Sequence, residues 1–401
     1  MISQEPINET RIQNTIKLRQ KSETLQSHFS PLHEIENSFE RAFWSIIKRS
    51  IELEASDIAL IPREYTLEIR IRIDGIWREI MRISKEKKER FLQIAKELCL
   101  FNMGKKNETQ DARFKTPENF SYKYYFRANI MPTVYGERIV LRLLESNKKF
   151  CFDSYSMPQA QKEILKSVLE KWQGMILCSG RTGSGKTTLL YSLLSQINRN
   201  KKNVFTLEQP VEYDLENVSQ SEISEKMSWS DGLRALMRQS PDVILVGEIR
   251  DAETAEAAMH AAASGHLLFS TTHSNSAQES IDKLMLLGLK REMIEENLLF
   301  AGGQKLVPKN CPYCLVEDLE SVGLIEKLIG KKIVPKMSIG CEFCHGTGVK
   351  GRVLLFESLI KENSVCGKKS GLVNLGSISQ MAIEALQSGE LSASTTLSIL
   401  E

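Results

Sequence analysis

The spacing of apolar residues changes several times along the chain, and each change marks a different element. From Leu32 to Leu53, Ile35, Phe39, Ala42, Phe43, Ile46, Ile47 and Ile51 recur at helical spacing, which predicts an amphipathic helix with its aromatic residues in a core. Thr66–Asp74 then alternates strictly, with Leu67, Ile69, Ile71 and Ile73 on one face and Glu68, Arg70, Arg72 and Asp74 on the other. A period of two predicts a half-buried strand, and Asp74-Gly75 is a hairpin turn signal. The helical period returns over Lys85–Phe101, with Phe91, Leu92, Ala95, Leu98 and Cys99 inward, and strands are expected at Tyr122–Ile130 and Glu137–Leu144. Strands in runs, with few helices between them, predict a separate α+β domain over residues 32–145. Residues 1–31 are polar and aperiodic, and are expected to be a mobile lead.

A polar linker over 146–157 separates this domain from a second pattern. A helix opening at Pro158 and carrying Ile164, Leu165, Val168, Leu169 and Trp172 leads into the apolar run before Gly180. Strand-like and helical runs then alternate: Asn203–Leu207, Ser230–Gln239, Val243–Gly247, Ala252–Ala263, Leu267–Thr272 and Ser276–Leu287. Such alternation predicts an α/β domain over 158–307, a parallel sheet covered on both faces with its ligand at the carboxyl ends of the strands. A cysteine-containing segment over 308–358 and a small helical region over 359–401, with Met381, Ala382, Ile383, Ala385 and Leu386 in its clearest helix, complete the chain.

Composition narrows the class. At 401 residues the chain is long for one core, and 41% apolar with 26% charged residues is ordinary for a globular protein. A net charge of +2 gives no whole-protein case for nucleic acid or an anionic membrane. No apolar run reaches the roughly 18 residues of a membrane span, and MISQEPINETRIQ lacks the hydrophobic core of a signal peptide, so a cytoplasmic location is expected. Of eight cysteines, Cys99, Cys151, Cys178 and Cys366 are scattered. Cys311, Cys314, Cys341 and Cys344 form two C-x-x-C pairs with a 26-residue spacer, the pattern of two knuckles that supply four thiolates to Zn²⁺.

The densest chemistry lies at Gly180-Arg181-Thr182-Gly183-Ser184-Gly185-Lys186-Thr187, with Thr188 following, which fits G-x-x-x-x-G-K-[ST] at every fixed position. Such a loop turns backbone N–H groups inward at a helix N-terminus and holds polyphosphate, with Lys186 reaching the β/γ-phosphates and Thr187 ligating Mg²⁺. The strand Asp242–Gly247 ends in Glu248, a carboxylate placed for the Mg²⁺ shell, and Glu208 and Glu212 leave the preceding strand where either could orient an attacking water. His266 and His273 flank LLFSTT at opposite ends, and His273, at the carboxyl end, is the better placed to sense a γ-phosphate. Arg113, Arg127, Arg138 and Arg142 fall on loops or on the polar phase of strands, where a guanidinium fork binds phosphate.

Taken in order, GRTGSGKTTLLY, TLEQPVEY, SPDVILVGEIRDAETAEAAMHAAASGH and STTHSN resemble the four nucleotide motifs of the secretion ATPase superfamily of type II secretion systems and type IV pili. Upstream ASDI, RIRIDG and GERIVLRLL and the downstream cysteine pairs also match, so the resemblance spans about Ala55 to Ile360. It implies a RecA-like ATPase domain behind a PAS-like α+β domain. It also implies a hexameric ring on the cytoplasmic face of the inner membrane, hydrolysing ATP with Mg²⁺ to move a membrane platform protein and assemble a pilus or pseudopilus. By this resemblance Glu208 and Glu212 belong to the acidic box, Glu248 to Walker B, and His266 and His273 to the histidine box. Arg113, Arg127, Arg138 and Arg142 match N-terminal positions some of which approach nucleotide, Arg127 and Arg142 being the pair expected in catalysis. The cysteine pairs resemble the zinc insertion of secretion and pilus-extension members, which retraction members generally lack.

Several positions depart from the family pattern. Gln209 stands where aspartate is usual, Ala59 where histidine is, Ser240 where aspartate precedes Pro241, and Pro308 where a basic residue precedes the first cysteine. The chain is also expected to lack the extended N-terminal domain by which many relatives dock to an inner-membrane partner. Three alternatives stay open at this stage: a pilus-extension or DNA-uptake motor, a nucleotide-binding ring subunit with little hydrolysis, and a DNA-translocating protein, which the near-neutral charge disfavours.

Overall fold

A computed structural model of the chain describes residues 39–145, 150–153, 155, 157–361 and 372–400. The expected lead over 1–31, the start of the first helix and part of the linker lie outside the described residues. Backbone packing divides the described residues into two units, one holding those up to 145 with Asn310–Val316 and Ser338–Gly351, the other those from 150 to Lys309, Glu317–Met337 and those from Arg352 onward. The cysteine segment expected as one stretch is therefore shared: both knuckles fold with the first unit and the chain between them with the second.

In the first unit α1 (Phe39–Glu52) and α2 (Lys85–Leu98) pack on a six-stranded sheet. Its strands are β1 (Asp57–Pro62), β2 (Thr66–Ile73), β3 (Ile76–Ser84), β4 (Gln110–Lys115), β5 (Tyr124–Thr133) and β6 (Gly136–Glu145), in the order β3-β2-β1-β6-β5-β4, each pair antiparallel. The alternation in β2 is realised, with Leu67, Ile69, Ile71 and Ile73 buried in the core beside Phe43, Ile46, Ile47, Phe91 and Ala95. Asp74 and Gly75 both take positive φ, 49° and 88°, as a tight two-residue hairpin turn requires. Two strands escaped the sequence pattern. β1 is central and buried at five of its six positions, so it shows no alternation, and β4 is a short edge strand.

The second unit is the doubly covered sheet the alternation predicts. Its helices include α3 (Gln159–Leu169), α4 (Lys186–Gln196), α5 (Trp229–Leu236), α6 (Ala252–Ala263), α7 (Ala277–Leu286) and α8 (Arg291–Asn297). They flank β7 (Gly174–Ser179), β8 (Val204–Glu208), β9 (Ser219–Glu222), β10 (Val243–Val246), β11 (Leu267–Thr272) and β12 (Leu298–Asn310). Adjacent strands run β12-β7-β11-β10-β8-β9, all parallel. Alternate residues of one strand serve two cores: Met175 and Leu177 of β7 join α5, α6 and α7, while Ile176 and Cys178 join α3 and α4. That arrangement explains why β7, β10 and β11 read as unbroken apolar runs. Trp172, expected within the helix, lies beyond the end of α3 and is exposed, with Lys202 Nζ 5.2 Å above its ring. At the C-terminal end Ile378–Gln387 and Ala393–Leu400 are helical, but the region expected to be helical from 359 also holds strand: Leu372–Leu375 pairs antiparallel with Val349–Lys361 at the edge of the sheet. No helix among the described residues is long and apolar enough to cross a membrane.

Candidate nucleotide site and metal centre

The loop after β7 is shaped by glycine. Gly180, Gly183 and Gly185 all have positive φ, and a Cβ on Gly180 would lie 2.5 Å from the Gln304 carbonyl and from Ser184 Oγ. Lys186 opens α4 and is buried, its ammonium donating to the carbonyls of Gly180 at 2.5 Å and Arg181 at 3.3 Å. Burial pushes the Lys186 pKa down, while the nearby charges of Glu248 and Glu212 work against that shift. Ser184 Oγ is buried with no hydrogen-bond partner among the described residues. A polar atom so placed, in a loop whose N–H groups open a helix, fits a phosphate-binding cradle.

Parallel register brings the acidic and histidine motifs to the same sheet edge. Thr272 pairs with Ser179 and Val246 with Ser270, so His273 after β11 and Glu248 just beyond β10 lie at the carboxyl ends of strands beside the loop. His273 Nε2 is 3.2 Å from Glu248 Oε2, and Arg250 pairs with Glu248 Oε1. The His273 contact has ion-pair distance without hydrogen-bond alignment, so Glu248 Oε2 is buried with no hydrogen-bond partner among the described residues. Burial and the Lys186 charge hold the His273 pKa below its ordinary value, against the pull of Glu248.

Glu208 ends β8 and is 4% exposed, with both carboxylate oxygens engaged. Thr206 Oγ1 donates to Oε1 at 2.6 Å and Gln220 Nε2 to Oε1 at 3.2 Å, while the Tyr191 hydroxyl donates to Oε2. Burial raises its pKa although these three donors oppose the rise. His266 is not brought to the loop: it precedes β11, at the opposite end of the strand from His273, and its Nδ1 lies 2.9 Å from the Ala261 carbonyl near the end of α6.

Two residues at the loop were not read from the sequence. Gln304, fully buried on β12, donates through Nε2 to the Ser184 carbonyl at 2.7 Å, and Tyr155 Oη lies 3.4 Å from Gln304 Oε1. Gly303 pairs with Ser179, so Gln304 sits at the strand position facing the loop. The rule that parallel sheets bind ligands at their carboxyl ends was the available signal, once β12 was recognised as a strand beside β7.

In the first unit three of the four candidate arginines form a row. Arg113 pairs with Arg127 and Arg127 with Arg142 across β4, β5 and β6, so all three share one face. The row continues to Asp57 on β1, which accepts from Arg142 Nε at 3.1 Å, and then to Arg72 on β2. Arg138 lies four residues before Arg142 and so on the same face, with its Nε buried and without an acceptor among the described residues. Along that row one carboxylate, Asp57, stands among the guanidinium groups, while Glu68 on β2 and Asp111 on β4 lie on the same face.

The four cysteines converge within the first unit. All four sulfur atoms lie within 4.8 Å of one another, with Cys311–Cys341 and Cys341–Cys344 at 3.7 Å and Cys314–Cys344 at 3.9 Å. A regular tetrahedron with Zn–S bonds of about 2.3 Å has sulfur–sulfur edges of about 3.8 Å, so the cluster fits Zn²⁺. Burial pushes Cys344 up, but N–H groups of Cys341 and Gly348, 3.1 and 3.2 Å from its sulfur, and the neighbouring thiols outweigh it and hold its pKa at about 7. Gly340 completes the turn, because a Cβ there would meet the Gly346 carbonyl at 2.5 Å.

The model for type II/IV secretion system proteins matches residues 33–396. The chain belongs to that family. It is 37% identical over 329 residues to the type II secretion system protein E of Aeromonas hydrophila, covering 80% of this chain and 65% of that one. Against the type IV pilus assembly ATPase PilB of Thermus thermophilus it is 34% identical over 346 residues, covering 84% of this chain and 39% of that one. The chain thus spans 65% of the length of the secretion protein. Among solved structures, the pilus retraction motor PilT with bound ADP aligns at TM-score 0.60 and 26% identity over 88% of this chain and 95% of that one. The Legionella pneumophila ATPase DotB aligns at TM-score 0.66 and 21% identity, covering 90% and 95%, which supports the fold alone. The expected α/β ATPase fold is thereby established.

Proposed function

We propose that this chain hydrolyses ATP to ADP and phosphate and uses the energy to drive protein secretion or pilus assembly. The observation that carries the reading is the convergence of the phosphate loop, His273, Glu248 and Glu208 on the carboxyl ends of four neighbouring strands, β7, β11, β10 and β8. Gly180–Thr188 would hold the phosphates, Lys186 and Thr187 standing at the β/γ-phosphates and Mg²⁺. Magnesium, when bound, would neutralise charge on the transferred phosphoryl group. Glu248 would serve the metal's shell, and Glu212, within electrostatic reach of Lys186, would orient water. Glu208, with its oxygens engaged by three donors, is assigned to shaping the strand end rather than to moving a proton. His273, against Glu248, would report on the γ-phosphate.

By the family resemblance, Arg127 and Arg142 would act in catalysis and Arg113 and Arg138 would bind phosphate. Zn²⁺ on the four cysteines would be structural, holding together a segment too small for its own core. The working form would be a cytoplasmic homohexamer bound peripherally to the inner membrane through a platform protein, without nucleic acid. Light scattering of the purified chain with and without nucleotide, together with complementation of a secretion- or pilus-defective cell by wild type and Lys186→Ala, tests this reading. Six-fold mass and rescue by wild type alone support it; a monomer at all concentrations, with no rescue, contradicts it.

Gln209, in place of the usual acidic residue, favours one second reading: a ring subunit that binds ATP with little turnover. In that case Gln209→Asp would raise turnover well above wild type.

A further inference from the structure

The metal knuckle is gripped by an arginine that no motif contains. Arg78, on β3, donates from Nη1 to the His345 carbonyl and from Nη2 to the Cys344 carbonyl, both at 3.1 Å. These are consecutive carbonyls at the second cysteine pair, the turn where His345 takes a left-handed φ of 49°. Arg78 pairs in register with Ile71, so it rises from the face of the sheet that carries the core, at the edge strand. Its Nε is buried without an acceptor among the described residues. A half-buried guanidinium is costly unless charge beside it compensates. Four thiolates around Zn²⁺ carry a net charge of two minus, and Arg78 is close enough to Cys344 to feel that sulfur electrostatically.

We propose that Arg78 is a positioning residue of the metal centre, coupling zinc occupancy to the seating of the knuckle on β3. The coupling rests on the reading of the four cysteines as a zinc site and adds two roles to it. The fork fixes the turn that presents Cys341 and Cys344, and the cation offsets the charge of the tetrathiolate. Groups that orient metal ligands without touching the metal are commonly worth 10–100-fold in metal affinity. Coupling is reciprocal, so zinc in turn orders the edge strand that Arg78 occupies.

The test is zinc release from the full chain to a chromogenic chelator, for wild type, Arg78→Ala and Arg78→Lys, with hydrogen exchange over Ile76–Ser84 before and after stripping. Arg78→Ala is expected to lose zinc at chelator concentrations roughly 10–100-fold lower than wild type. Arg78→Lys, which keeps charge without the fork, falls between them, and stripped wild type exchanges faster in β3. A role in stability alone would lower the melting temperature and leave zinc affinity unchanged. One zinc per chain in wild type, released equally by Arg78→Ala, overturns the coupling while the metal site stands. Wild type without zinc overturns both. Should Arg78→Ala not fold, Arg78→Lys decides by the same comparison.

Discussion

The hydroxyl of Tyr191, on the helix that follows the phosphate loop, donates to Oε2 of Glu208 at the end of β8. The bond ties two motifs distant in sequence into one buried network, which Thr206 and Gln220 complete. Tyr191→Phe leaves that carboxylate oxygen short of a donor and is expected to cost ~1–3 kcal/mol in a urea titration. An unchanged midpoint and slope would show that the bond contributes nothing.

The same network sets a pH dependence. Burial raises the Glu208 pKa, so the folded state binds its proton more readily than the unfolded chain. The stability this gives is fully present below the ordinary value of 4.5 and is lost as pH rises through the higher folded value. Relative to Glu208→Gln, wild type therefore loses stability upward across that window and runs parallel above it. Urea midpoints measured against pH check this, and parallel curves throughout would refute it.

His273 has the opposite sign. Its pKa is lowered by burial and by Lys186, so the folded state resists protonation. The stability this gives is present above about 6.5 and is lost as pH falls through the lower folded value. His273→Gln should remove that loss, so melting curves of the two proteins converge above pH 7 and separate below 6.5. Absence of separation would place His273 in solvent with no coupling to Lys186.

Within the loop two glycines should respond differently to alanine. A methyl on Gly180 runs into the Gln304 carbonyl and Ser184 Oγ, whereas Gly183, at φ 78°, has nothing within 4 Å of its Cβ position. Gly183→Ala should cost only the left-handed backbone term of ~1–2 kcal/mol and retain nucleotide binding. Gly180→Ala should displace Gln304 or the loop and abolish binding of a fluorescent ATP analogue. Equal affinities in the two variants would deny the loop its close packing.

Much of this architecture was legible in the sequence because burial and periodicity agreed. Ala252–Ala263 and Leu267–Thr272 fall where the pattern put them, and the phosphate loop needed only its flanking strand and helix. What was not legible depends on contacts across the fold. Glu208 reads as an acid at a strand end, and its engagement by Tyr191, Thr206 and Gln220 is visible only once three elements are packed. His266 and His273 look alike on either side of LLFSTT, but strand direction, itself read from the sequence, already favoured His273; only the contact of His266 with the Ala261 carbonyl needed the fold. The roles of Gln304 and Arg78 were not legible, since each works through backbone carbonyls that leave no signature in residue type.

Magnesium-dependent phosphate release by the purified chain tests most directly whether the converging strand ends hydrolyse ATP. Wild type should turn over, while Lys186→Ala and Glu248→Gln, each with an unaltered far-ultraviolet spectrum, should fall by at least ~100-fold. Phosphate release by folded Lys186→Ala at the wild-type rate would contradict the assignment of this loop as the site of hydrolysis.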